Sequence, residues 1–235
     1  MDKREQIKKY FEAFPKWAVW MIIIGLPMLA AYGLGLLLIG IGIWGIVSWT
    51  KRPTDAQMDA WLEEDLQMLH GKALSKNGTD ASELVGEPVM VTGPQFWNTA
   101  GAQVEYEKGK DNTLRFTPVE VTVLNFTANQ LVCYSCVFDQ TTGNALNEST
   151  DEYFYKDVVA VSTKTKSKSV QIEGKGTVQL KSAETFELTT SGGTSVEVTL
   201  TDPSLIEMMG GGDIPTTRAE KAIQTVRKML REKKV

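Results

Sequence analysis

The sequence predicts an α+β protein: an N-terminal membrane helical hairpin, a linker helix, and a C-terminal antiparallel β domain closed by one helix. Three observations carry this. Residues 17–49 run for thirty-three positions without a charge. From 112 onward the chain breaks into short β-branched segments separated by Gly and Asn turns. The last stretch, after Gly210-Gly211-Gly212, returns to helical spacing. The 235 residues carry a net charge of -4, which argues against nucleic acid as a partner. Two cysteines and one histidine leave little material for a disulfide framework, a metal site or His-based catalysis.

The apolar run is the first element to justify. Thirty-three helical residues would extend roughly 50 Å, against a hydrocarbon core of about 30 Å. Pro27 and the segment Ala31-Tyr32-Gly33-Leu34-Gly35 supply a break, since proline interrupts a helix and glycine adopts the left-handed turn. Splitting there gives arms Trp17–Ala30 and Gly35–Trp49, each about 21–23 Å if helical. Basic residues lie at both ends: Lys3, Arg4, Lys8, Lys9 and Lys16 before, Lys51 and Arg52 after. Positive flanks mark the cytoplasmic side, so the pattern favours a hairpin with both termini there; one tilted span is the alternative. Trp17, Trp20, Trp44 and Trp49 sit near the same ends and would anchor at the interface with Lys51 and Arg52. Gly33, Gly35, Gly40, Gly42 and Gly45 give the second arm a smooth face for helix packing. Acidic Asp2, Glu5 and Glu12 in the leader argue for a retained anchor rather than a cleaved signal. Residues 1–16 read as an amphipathic helix on the membrane surface, with Ile7, Tyr10, Phe11 and Phe14 on its apolar face.

The linker, 53–75, opens with Thr54-Asp55-Ala56-Gln57, a capping-box pattern after Pro53. Met58, Trp61, Leu62, Leu66 and Leu69 follow at helical spacing to about residue 70. That stripe packs either on the following domain or on the same helix of another subunit. Short strands are expected around 87–92 and 102–107, within a small β region spanning 84–110.

The β domain, 111–235, follows. Expected strands cover Val119–Val123, Leu131–Phe138, Glu152–Thr163, Ser169–Glu173, Thr177–Leu180, Thr185–Thr190 and Ser195–Thr201. Gly174-Lys175-Gly176 and Ser191-Gly192-Gly193-Thr194 turn the last hairpins. A closing helix from near Pro215 or Thr216 presents Ala219, Ala222, Ile223, Val226, Met229 and Leu230 on one side. Several short runs in this region are distinctive: Asp139-Gln140-Thr141-Thr142-Gly143, then Glu152-Tyr153-Phe154-Tyr155-Lys156-Asp157-Val158-Val159, then Phe186-Glu187-Leu188 with its Gly-Gly hairpin. Together with the closing helix they resemble bacterial pleckstrin-homology-like (PH-like) domains, over roughly 112–234. The resemblance implies an antiparallel barrel or sandwich capped by the helix, and a role in assembly and interaction. It does not reach the anchor or residues 53–110.

The chemistry-bearing motifs are sparse. Cys133-Tyr134-Ser135-Cys136 lies inside a strand, where an offset of three sends the thiols to opposite faces. No second CxxC completes a zinc site, and no phosphate loop or nucleophile elbow is present. No catalytic, cofactor-binding or metal residue is assigned, and the chain reads as a non-enzyme. Lys164, Lys166 and Lys168 fall in an expected hairpin and form a candidate contact for anionic lipid or a partner. The candidate oligomer contacts are the five glycines of the second arm with Met58, Trp61, Leu62, Leu66 and Leu69. The leading expectation is a scaffold or adaptor in the inner membrane, a homo-oligomer whose cytoplasmic PH-like domain binds another protein. A module that senses anionic lipid through Lys164–Lys168 is the competing expectation.

Overall fold

The structure, a computed structural model, describes residues 2–30, 33–172, 176–214 and 217–233. The chain divides into two compact units, residues 1–58 and 59–235.

The first unit is helical. Helices α1 (Lys3–Phe11), α2 (Lys16–Gly25) and α3 (Leu34–Thr50) precede α4 (Asp55–Asn77), which begins here and continues into the second unit. α2 stops short of Pro27, whose ring and missing N–H end the ladder, and Pro27–Ala30 forms a 3-10 turn. Gly33 takes φ +82° before α3, a conformation that costs glycine no Cβ clash. The two arms pack antiparallel. A Cβ at Gly35 would sit 2.5 Å from the Gly25 carbonyl, and one at Gly42 2.5 Å from that of Ala18. A hairpin is therefore present, with arms unlike the expected ones. α2 spans about 15 Å and α3 about 26 Å, because Pro27 truncates the first and Ala31-Tyr32 lie outside the described residues. No single described helix is long and apolar enough to cross a membrane. The one combination that passes by length and composition is α3 with α4, bent by 50°.

α1 forms within the segment expected to be amphipathic and ends at Phe11, so Phe14 lies beyond it and is exposed, while the rest of the apolar face turns inward. Ile7 and Tyr10 are buried, and the Tyr10 hydroxyl donates to Asp55 at 2.8 Å. Below the arms, Arg52 stacks over the Trp49 ring at 4.2 Å, and Trp49 Nε1 donates to the Glu12 carbonyl.

The second unit is β-rich. Its strands are β1 (Val89–Pro94), β2 (Glu105–Lys108), β3 (Leu114–Thr117), β4 (Val119–Phe126), β5 (Gln130–Asp139), β6 (Asn144–Phe154), β7 (Val158–Ile172), β8 (Gly176–Thr190) and β9 (Ser195–Thr201). They form three antiparallel sheets: β1-β4-β5-β6, β2-β3 and β7-β8-β9. No closed barrel forms among the described residues, which corrects the barrel half of the expectation. Two helices follow, α5 (Pro203–Met208) and α6 (Thr217–Lys233). The expected helix start at Pro215-Thr216 and the Glu173-Gly174-Lys175 part of the β7–β8 turn lie outside the described residues.

The inner strands β4 and β5 of the four-stranded sheet are buried on both faces, as their continuous apolar runs require, while β6 is largely exposed. Leu131 and Cys133 of β5 enter one cluster with Phe186, Leu188, Val198 and the Ile223, Val226 and Leu230 face of α6. Tyr134, Cys136 and Phe138 enter a second with Leu66, Leu69 and Ala73 of α4 and with Val170 and Leu180. Sheet β7-β8 serves both clusters because a bulge between Lys166 and Lys168 shifts its register and bends it. α4 is locked to the hairpin β2-β3 by Arg115, 8% exposed, which makes bidentate pairs with Asp59 and with Asp111.

Several boundaries differ from the sequence reading, among them the start of β6, which is at Asn144 where a turn was expected. α4 runs on through Gly71 to Asn77. The expected strand Glu152–Thr163 is split by a 3-10 turn at Tyr155–Asp157, where Tyr155 turns inward and its hydroxyl donates to the Thr127 carbonyl at 2.8 Å. The segments expected at Thr177–Leu180 and Thr185–Thr190 are one strand, and so are 158–172; Lys164–Lys168 therefore lies within β7 and not in a hairpin. β3 and α5 were not anticipated.

Candidate functional site

The helical hairpin exposes many large apolar side chains. Trp20, Leu26, Leu36, Leu37, Ile43 and Trp44 are all more than half exposed, as large as any apolar group on the chain. A water-soluble protein rarely leaves such a contiguous patch bare. Trp17, Trp20, Trp44 and Trp49 lie toward the open end of the hairpin, away from the Gly33 turn, because Trp17 packs beside Gly45 in the antiparallel pair. Of the two cations assigned to the interface, Arg52 stacks on Trp49 and Tyr10, and Lys51 is exposed.

The candidate oligomer contacts separate into two groups. Gly35, Gly42 and Gly45 are buried in the α2–α3 contact, so the smooth face is used within the chain. Gly33 is the turn residue, and a Cβ at Gly40 would meet nothing within 4 Å. On α4, Met58, Leu66 and Leu69 are buried, and Leu62 packs against the second core. Trp61 is part-buried. Of the two packings expected for this stripe, the one on its own β domain is observed for Leu62, Leu66 and Leu69.

Lys164, Lys166 and Lys168 do share one side of β7, as a ribbon demands, and they meet glutamates there. Lys164 and Lys166 both lie 3.0 Å from Glu187, Lys166 lies 3.0 Å from Glu197, and Lys168 lies 3.9 Å from Glu197. Glu187 and Glu197 are direct cross-strand partners in β8-β9, an arrangement that repels on its own. Lys166 sits between them and removes that repulsion; the lysine hydrogen bonds hold the Glu187 carboxyl below its ordinary range. Lys168 also donates to Thr199 at 2.8 Å and stands 4.5 Å over the Trp97 ring. These are cations already engaged by their own sheet.

Other titratable groups are built into the packing. Burial pushes Cys133 up to about 12 and Cys136 up to about 11, and the two thiols occupy different clusters on opposite sheet faces. Neither is a thiolate near neutral pH. His70 lies inside α4, its Nε2 3.2 Å from Asn125 Oδ1. Glu148 accepts from the Tyr134 hydroxyl at 2.8 Å and pairs with Lys72 at 2.9 Å. Among the described residues no group of His, Cys, Asp or Glu is placed to hold a metal ion. The open concave sites are shallow grooves. One of about 440 Å³ runs between β7 and α6, and one of about 580 Å³ lies beside His70 between α4 and β1. Sequence reasoning missed the first, because its walls come from elements more than sixty residues apart.

Comparison with protein-family models, curated proteins and solved structures finds no match to this chain.

Proposed function

We propose that this chain is a non-enzymatic scaffold, anchored in the inner membrane by its helical hairpin, whose cytoplasmic β domain assembles proteins at the membrane. The exposed apolar surface of α2 and α3 carries the reading: a charge-free hairpin of this kind is stable against lipid and costly against water. Arms of about 15 and 26 Å suit a hairpin that enters from one side and returns to it. The order of the second unit, four antiparallel strands, then three, then a helix over the first core, supports a PH-like domain with an inserted β2-β3 hairpin. An adaptor role is favoured over lipid sensing by the glutamate partners of the lysine row. Cations paired within the sheet have less to offer an anionic headgroup.

Flotation of the full chain with neutral phosphatidylcholine vesicles tests the anchor. The protein is expected to float and to resist extraction by high salt, and Leu37→Arg with Ile41→Arg to leave it in the pellet fraction. Replacing Lys164, Lys166 and Lys168 by Ala should change nothing. On the Leu37→Arg, Ile41→Arg background, flotation with phosphatidylserine-containing vesicles that is lost when the three lysines are also replaced by Ala would favour the lipid sensor.

A further inference from the structure

Among the described residues, two long strands end their sheets with no strand along their outer sides: β6 in the four-stranded sheet and β7 in the three-stranded one. Such an edge presents a row of N–H and C=O groups that pair readily with another strand. The two edges differ in composition. β6 reads NALNESTDEYF, with three acids and no cation; β7 reads VVAVSTKTKSKSVQI, with three lysines and no acid. The lysines of β7 are paired with Glu187 and Glu197 and Glu148 of β6 with Lys72, so the unlike charges offered to a partner are the acids at the end of β6 and the arginines beside the start of β7.

The packing around β7 sharpens the match. Its first turn of strand opens on the groove of about 440 Å³, floored by Val159, Val161 and Leu230 and walled by Arg227 and Arg231. Arg231 Nε donates to the Arg227 carbonyl at 3.1 Å, and among the described residues neither guanidinium has a carboxylate partner. Val159 is 55% exposed. The end of β6 offers the complement: exposed Asp151 and Glu152, then Phe154, 51% exposed.

We propose that the β6 edge of one copy adds as a further strand to the β7 edge of a second copy, its acidic end meeting the Arg227–Arg231 groove. The contact joins two different surfaces, so it is heterologous and can repeat from copy to copy in the plane of a membrane. This deepens the scaffold reading, on which it rests, by naming the partner of the β domain as another copy of the chain. Hairpins held in one bilayer raise the effective concentration at which the edges meet.

The test uses full-length chains in detergent, one carrying an affinity tag and one not. Tagged wild type is expected to retain untagged wild type. Arg227→Glu with Arg231→Glu makes groove and β6 both acidic, and Asp151→Lys with Glu152→Lys makes both basic. Each double variant should retain its own kind at least about tenfold less well. Mixing the two variants restores complementary charge at both contacts, so their co-retention should return to the wild-type level. That rescue also shows that both variants are folded. Undiminished self-retention by either variant, or no rescue in the mixture, would overturn the edge contact. So would a wild type that retains no second copy. Vesicle flotation of the same samples reads the anchor separately and should be unaffected in every case.

Discussion

Glu120 is the residue at which local environment is most at odds with charge. It lies in β4 opposite Gly93 of β1 and Val137 of β5, where Gly93 lets the backbone of Thr199 in β9 come close. Burial raises its pKa to about 7, against the opposing pull of Lys168 and of a hydrogen bond from the Thr199 backbone. The ordinary value is 4.5, so the unfolded chain loses this proton first as pH rises. Stability is therefore fully present below about 4.5 and falls until about 7. Glu120→Gln removes the slope. Urea unfolding across pH 4 to 8 should show the wild type losing about 3 kcal/mol relative to the variant, and superimposable profiles would contradict this. The thiols make a second case. With Cys133 and Cys136 pushed up to about 12 and about 11, the folded chain should not react with iodoacetamide at pH 8, while the urea-unfolded chain takes up two equivalents. The opposite-face placement of these cysteines was legible from their odd spacing in one strand. The burial of Glu120 was not, since the covering strand β9 is some eighty residues away.

At the level of elements, what the sequence made legible followed short-range pattern. The glycine-rich second arm, the capped linker helix, the Gly-Gly turn at 191–194 and the apolar face of the last helix all form. What it hid depended on distant partners. Thr163 to Lys168 alternates hydroxyl and amine with no apolar residue, which looks like a turn; it is a strand because Glu187 and Glu197 neutralise its lysines. α5 is six residues long and is fixed by Asp202, whose carboxylate accepts from Ser204 and Leu205. Two mutational contrasts test the element packing. Gly42→Leu should splay the hairpin, because any side chain there meets Ala18 and Ile22, while Gly40→Leu meets nothing and should be neutral. Limited proteolysis of the full chain in lipid nanodiscs would register the first and not the second. In the last helix, Ile223→Ala or Leu230→Ala should cost about 2–5 kcal/mol by urea unfolding, because both sit in the first core. Arg227→Ala should leave the midpoint unchanged, and equal small effects for all three would mean that α6 does not close that core.

For the whole molecule, the two units distribute their apolar side chains in opposite ways. The second buries its apolar residues in two clusters on either side of β4 and β5. The first turns its largest apolar side chains outward. In the proposed anchor, the tryptophans gathered at the open end of the hairpin and the basic residues on both flanks would lie at one interface and the Gly33 turn in the hydrocarbon. The measurement that bears most directly on this account is a pair of reporter fusions, at the N-terminus and at the C-terminus of the full chain in a Gram-negative host. Both cytoplasmic reporters are predicted to be active and both periplasmic reporters silent; activity of a periplasmic reporter at either end would contradict the hairpin anchor.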